Sequence, residues 1–485
     1  MTTDSSTQPD TLTAFERAEI DASVSGPALL FFGSAIFWLL FGSVFEVISS
    51  IQLVYPGFFD GLSFLTYGRN TQVAASVFAY GFATPAAIGV GLWLTARLCK
   101  VPFQHYRLLV SAGIVWNLGI LIGACAIIAG DSTSMPMLNF PGYVFAFLFI
   151  AYALIAVWGI ITFSQRRPGT LFVSQWFLFA GFLCFPWLVA TATILLISNP
   201  VEAPAQAAIS YWFYSGFFNL WLVPMGLATA FYIIPKTIGQ AIHSYHLSLL
   251  GFWTLLLFGA WAGTSNLIAG PLPAWMVSVG VVASVMMLIP ALAVALNLHL
   301  TLSGHYAPVG WSPALRFVVV GVSCLFAYWV AVSLVSIPAV NSVTNFSDIN
   351  RGIYKLGYYG FFAFTAFGAI YYITPRLTGN EWPCGGGMNW HFWLAASGLA
   401  FVAISLLLGG LIQAYALQEP IVTFRSSLEL AWPFRFLAAM GSILLCAAAA
   451  VFAMNFAGTL IDTRQRTKPA LLAEREEPSQ EPVAV

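Results

Sequence analysis

Long apolar runs recur along this 485-residue chain at a length that only membrane helices use. Twelve are readable, at about 28–51, 72–97, 107–130, 141–164, 171–198, 209–235, 247–269, 274–298, 314–338, 352–375, 390–414 and 432–460. Backbone polar groups facing lipid can be satisfied only within the segment, so each run predicts a helix. Charged residues are 7% of the chain against 59% apolar, which excludes a soluble enzyme; a soluble domain has roughly 25% charged residues. Eighteen basic residues balance eighteen acidic ones, leaving no net charge to attract nucleic acid. Pro85, Pro186, Pro224 and Pro290 lie inside runs and predict kinks rather than breaks. The expected organisation is a polar N-terminal tail over 1–27, a membrane domain over 28–460 and a solvated C-terminal tail over 461–485. The polar start lacks a charged-then-apolar leader, so the first span is expected to direct insertion.

Twelve spans put both termini on one side. Thirteen of the eighteen basic residues then share that side, and five (Arg69, Arg351, Lys355, Arg425, Arg435) lie on the other. Such asymmetry predicts cytoplasmic termini. Three spans also end alike: Trp93-Leu-Thr-Ala-Arg97, Tyr232-Ile-Ile-Pro-Lys236 and Tyr372-Ile-Thr-Pro-Arg376. The basic residues are 236 − 97 = 139 and 376 − 236 = 140 apart, which predicts three four-helix units with pseudo-threefold symmetry.

Ionisable residues inside a membrane mark ion or proton paths. Here Glu46, Arg316, Lys355, Arg435 and His391 all fall within a turn or two of a span end, and the midplane carries hydroxyls and amides such as Asn117, Thr191, Ser215, Asn219 and Thr229. The six histidines (105, 243, 246, 299, 305, 391) sit in or beside loops on one side, which predicts interfacial roles. His243 and His246 have a helical i, i+3 spacing but no third ligand nearby. The cysteines (99, 125, 184, 324, 384, 446) show no metal-binding spacing and read as small buried apolar residues.

Several stretches nevertheless resemble one family: Phe231-Tyr-Ile-Ile-Pro-Lys236, Ser244-Tyr-His-Leu-Ser248, Phe252-Trp253, Trp261-Ala-Gly263, Ala339-Val-Asn-Ser342 and Gly368-Ala-Ile-Tyr-Tyr-Ile-Thr-Pro-Arg-Leu377. They resemble subunit I of cbb(3)-type cytochrome c oxidase, a haem-copper oxygen reductase, and more distantly the large subunit of nitric oxide reductase. The resemblance implies an all-α, twelve-helix, pseudo-threefold membrane bundle in a bacterial-type inner membrane. It also implies a low-spin haem b, a high-spin haem b and a copper ion, all held by histidines. Carried over by motif, the haem-ligand positions fall at Gln72, Ile353 and Lys355, and the copper-ligand positions at Ser215, Ser265 and Asn266. The family's redox tyrosine position falls at Gly259. Haem iron needs a nitrogen, sulfur or phenolate donor and this type of copper needs imidazole, so no cofactor is expected and these positions read as vacated. Lys355 reads as a snorkelling cation or ion-pair partner. Tyr232, Tyr245 and Ser248 fall where the family has residues of its proton path, and equally suit packing.

The expected function is a haem-free, degenerate relative of that subunit, acting as a structural, assembly or interaction subunit of a respiratory membrane complex. Two alternatives stand beside it: an active oxidase or nitric oxide reductase with unconventional ligation, and a transporter or channel on the same scaffold. Expected partners are membrane lipid and other oxidase-like or membrane-anchored cytochrome c subunits. The outer loops carry Tyr55-Pro-Gly-Phe-Phe59, Phe140-Pro-Gly142 and Phe346, which suit a docking face or an interfacial aromatic belt. Small residues at Ala447–Ala450, Ala453 and Gly458 predict close helix approach.

Overall fold

The structure, a computed structural model, describes residues 12–169 and 171–476, with side chains through residue 463. Among the described residues, eleven helices are long and apolar enough to cross a membrane. They are α1 (Ala14–Val54), α2 (Tyr67–Cys99), α3 (Tyr106–Ala129), α4 (Gly142–Ser164), α5 (Val173–Ser198) and α6 (Ala203–Ile238). After a shorter apolar helix, α7 (Tyr245–Gly259), follow α8 (Ala274–Leu302), α9 (Pro313–Ser336), α10 (Ile349–Thr378), α11 (Gly385–Ala416) and α12 (Phe424–Glu476). At about 1.5 Å per residue α7 reaches only about 22 Å, short of a hydrocarbon core of about 30 Å. A 3₁₀ turn, Ala262–Leu267, prolongs it. The turn is wedged tightly: a Cβ on Gly263 would strike the Tyr211 carbonyl of α6, and one on Gly280 of α8 would strike the Thr264 hydroxyl. With α7 the bundle has the twelve expected spans.

Three helices form its centre. Burial covers 89%, 94% and 89% of the apolar windows of α2, α6 and α10, against 33–50% for the other long spans. Each of the three widens into a π-helical stretch, at Val77–Ala83, Phe217–Leu222 and Leu356–Ala363. These start 217 − 77 = 140 and 356 − 217 = 139 residues apart, so the repeat read from the helix ends extends into the membrane interior. A π turn inserts one residue and re-aims the faces beyond it, and such turns favour functional positions.

The end bearing Arg97, Lys236 and Arg376, the basic end, is closed by the repeat itself. Trp93, Tyr232 and Tyr372 meet edge to face with ring centroids 5.5, 6.2 and 6.3 Å apart. Each helix then stops in a left-handed residue, Lys100, Gly239 or Gly379, whose N–H caps the last turn. Asp21 of α1 anchors the triad by accepting from Trp93 Nε1 at 2.9 Å and Arg97 at 2.8 Å. Helices α11 and α12 cross on Gly398 and Gly441, where a Cβ on Gly441 would lie 2.8 Å from the Gly398 carbonyl.

Several expectations are corrected. Helix α1 starts at Ala14, fixed by a capping box of Thr13 and Glu16, so the helix extends ahead of the apolar run through 14–27 of the polar N-terminal tail; residues 1–11 lie outside the described region. Helix α12 begins at Phe424, which places Arg435 eleven residues (435 − 424) inside it, deeper than a turn or two. It also runs on to Glu476 through the first part of the expected C-terminal tail; residues 477–485 lie outside the described region. Cys125 and Cys384 are exposed, Cys384 serving as an N-cap whose sulfur accepts from Gly387 N at 3.3 Å. Phe140 is buried against Tyr80 and Phe145, so it belongs to the core and not to a docking face.

Candidate functional site

The far end of the bundle, opposite the basic end, holds two neighbouring clefts that share Tyr214, Tyr354 and Tyr358. One gathers Ser215 and Asn219 from α6, Ser265 and Asn266 from the 3₁₀ turn, Ile353 and Tyr354 from α10, and Trp329 and Ser336 from α9. The three copper-equivalent positions and one haem-equivalent position therefore do converge. Their polar side chains are each engaged by separate neighbours. Asn219 Nδ2 donates to Ser215 Oγ at 3.1 Å, and Trp329 Nε1 donates to Asn219 Oδ1 at 3.2 Å. The Ser265 hydroxyl lies 3.0 Å from that of Ser284 and 3.3 Å from that of Ser336. Tyr354 Oη donates to Asn266 Oδ1 at 3.4 Å, and Asn266 Nδ2 donates to the Gly263 carbonyl at 3.1 Å. About 30 Å³ is left, room for about two waters. Gly259 sits behind this network, where a Cβ would already lie 3.0 Å from Asn219 Cβ, so a phenol does not fit.

The second cleft is a chamber of about 300 Å³ between α1, α2, α10 and α12. Lys355 reaches across it to Glu46 of α1, Nζ to Oε1 2.7 Å, so the lysine is an ion-pair partner. Gln72 does not line the chamber; its amide donates to the Thr133 carbonyl at 3.3 Å, and Thr71, Ala75 and Phe78 form the wall instead. Beside the chamber, Asp348 is shared between Arg435 at 2.6 Å and Arg351 at 3.2 Å. The sequence reading missed Glu46 and Asp348 as a network. Its available signal was a lone carboxylate inside an apolar run, which is expensive unless it has a partner.

Histidine placement needs one correction. His391 is not interfacial: it lies on α11, fully buried, stacked on Phe452 with ring centroids 4.7 Å apart, its Nδ1 3.0 Å from the Tyr371 hydroxyl. The helix starts at Gly385, earlier than hydropathy suggests, and brings the ring inside. His243 and His246 flank Ser244, the N-cap of α7, and so do not share a helical face. Tyr245 Oη accepts from Trp176 Nε1 at 3.0 Å, and Ser248 accepts from Asn297 at 2.7 Å; both are used in packing. Among the described residues no group of three or more His, Cys, Asp or Glu could hold a metal ion. Ser215, Ser265, Asn266, Gln72 and Ile353 do not fit haem or copper by donor chemistry, and the Lys355 ammonium is engaged by Glu46.

Twelve membrane helices in three related units, with polar clefts set among three π-widened inner helices, define a multi-pass membrane protein of terminal-oxidase architecture. The chain belongs to the cytochrome c and quinol oxidase polypeptide I family, whose model matches residues 26–444. It is 27% identical over 453 residues to the cytochrome c oxidase subunit 1 homolog of Agrobacterium tumefaciens (strain T37), covering 88% of this chain and 82% of that one. It is 27% identical over 458 residues to the cbb3-type cytochrome c oxidase subunit CcoN1 of Stutzerimonas stutzeri, covering 90% and 94%. Among solved structures, a heme-copper terminal oxidase dimer superposes with a TM-score of 0.71 at 15% identity, over 92% of this chain and 84% of that one, a likeness of fold.

Proposed function

We propose that this chain is a haem-free relative of cbb(3)-type cytochrome c oxidase subunit I and serves as a structural, assembly or interaction subunit of a respiratory membrane complex. The observation that carries this reading is the closure of the copper-equivalent cleft. Ser215, Ser265 and Asn266 line it together without imidazole, each hydrogen-bonded to its own neighbours, and about 30 Å³ is left, room for about two waters. Lys355 supports it, since its ammonium is paired with Glu46. The basic-residue asymmetry supports cytoplasmic termini in a bacterial inner membrane. Its partners are histidine-bearing oxidase or membrane-anchored cytochrome subunits, docked through lipid-facing helices and the exposed loop aromatics Phe59 and Phe346.

Mild detergent extraction of the tagged chain from its native membrane tests this. The expected result is a chain without a haem Soret band of its own, recovered with a histidine-bearing oxidase subunit. Stoichiometric haem b in the separated chain overturns it.

A further inference from the structure

The 300 Å³ chamber is continuous with a charged cleft at its mouth: both are lined by Glu46, Arg351, Lys355 and Ser442, and Arg435 lines the cleft. Chamber walls are mostly apolar and aromatic, with Trp38, Leu39, Ala75, Phe78 and Leu445 among them. A volume of about 300 Å³ lies within the range of small-molecule sites, roughly 300–1,000 Å³. The charges do not cancel. Lys355 balances Glu46, while Asp348 alone serves both Arg351 and Arg435, so three cations face two carboxylates. The surplus falls at the mouth, where the Arg351 side chain is 43% exposed and open to an anionic ligand. Arg351 directs one guanidinium nitrogen to Asp348 and Lys355 one N–H to Glu46, so both keep donors for another oxygen ligand. The guanidinium fork suits a carboxylate or phosphate.

We infer that this chamber binds an apolar molecule with a single anionic head group, its body between α1, α2 and α10 and its head at Arg351 and Lys355. Carboxylate amphiphiles and anionic phospholipids share that chemistry. The inference rests on the haem-free reading, because the chamber adjoins the Lys355 haem-ligand position.

The test uses the purified full chain in discs of zwitterionic lipid, with a fluorescent fatty acid titrated against its methyl ester. An absorption spectrum is taken first: a haem Soret band defeats the haem-free reading, whereas a colourless chain that ignores the fatty acid defeats only this inference. The acid should bind roughly tenfold more tightly than the ester, the ratio of one charge-assisted hydrogen bond. Arg351→Gln should remove that preference and Arg351→Lys should keep most of it. Ala75→Trp should block acid and ester alike, and Ser43→Phe fills the same chamber from α1 should the first variant fail to fold. Displacement by phosphatidylglycerol identifies a phospholipid occupant, and displacement by free fatty acids alone identifies a carboxylate amphiphile; either supports the inference. Equal binding of acid and ester, indifference to both filling variants, or equal displacement by phosphatidylcholine overturns it.

Discussion

The two clefts at the far end share three tyrosines yet differ in how their polar groups are satisfied. In the cleft lined by Ser215, Ser265 and Asn266 the polar groups are neutral and bond to close neighbours on α6, the 3₁₀ turn, α8 and α9. In the chamber the central group is a charge, Lys355, whose partner Glu46 comes from a different helix and spans a space still open to about 300 Å³. Neutral hydrogen-bonding groups can collapse onto each other because each is satisfied by a close neighbour. A charge inside a membrane bundle is expensive unless it is paired, and here the pair bridges the space without filling it.

The largest break in this comparison is expected at the charged side. Asp348→Ala leaves Arg435, 13% exposed, and Arg351 without their carboxylate. Loss of one partner of a buried pair costs roughly 3–5 kcal/mol, and thermal unfolding in detergent should show the lower end of that range. Removing a residue from the neutral cleft should cost less. An unchanged melting temperature for Asp348→Ala would mean that the charges are solvated and the contrast with the neutral cleft is false.

Next in size is the return of an imidazole. Ser265→His places a large ring where about 30 Å³ is free and where Ser284 and Ser336 crowd the hydroxyl. Overpacking of this kind costs roughly 1–3 kcal/mol. The same ring at Ala75, facing the chamber, should cost well under that. If both histidines are equally tolerated in a thermal melt, the first cleft is not closed as its hydrogen bonds imply.

How much of this was legible beforehand depends on range. The twelve helices, the threefold repeat and the convergence of Ser215, Ser265, Asn266 and Ile353 were legible, because hydropathy, the Y-I-x-P motif and motif spacing are local signals. The helix ends were less so: polar turns at 14–27 and 424–431 stay helical through capping and tertiary contact, which hydropathy does not register. His391 was misplaced for that reason. The Glu46–Lys355 pair joins residues 309 apart in sequence and the Asp348–Arg435 pair residues 87 apart, and nothing local indicates such partners. Gln72 shows a further limit. Motif alignment assigns a position, whereas the helix phase decides the face: Thr71, Ala74, Ala75 and Phe78, at i, i+3, i+4 and i+7, line the chamber.

The smallest effects should separate pairing from mere proximity. Glu46 and Lys355 are each about a third exposed, at 31% and 29% of their side chains, so their pair lies between a surface bridge and a buried one. Glu46→Gln and Lys355→Met should each destabilise by roughly 1–2 kcal/mol, less than Asp348→Ala. Made together they should cost less than the sum, with a coupling energy of roughly 1 kcal/mol, because each single change strands the other charge. Additive losses in the double-mutant cycle would show that solvent, not Lys355, satisfies Glu46. The chamber would then be a hydrated gap instead of a space bridged by an ion pair.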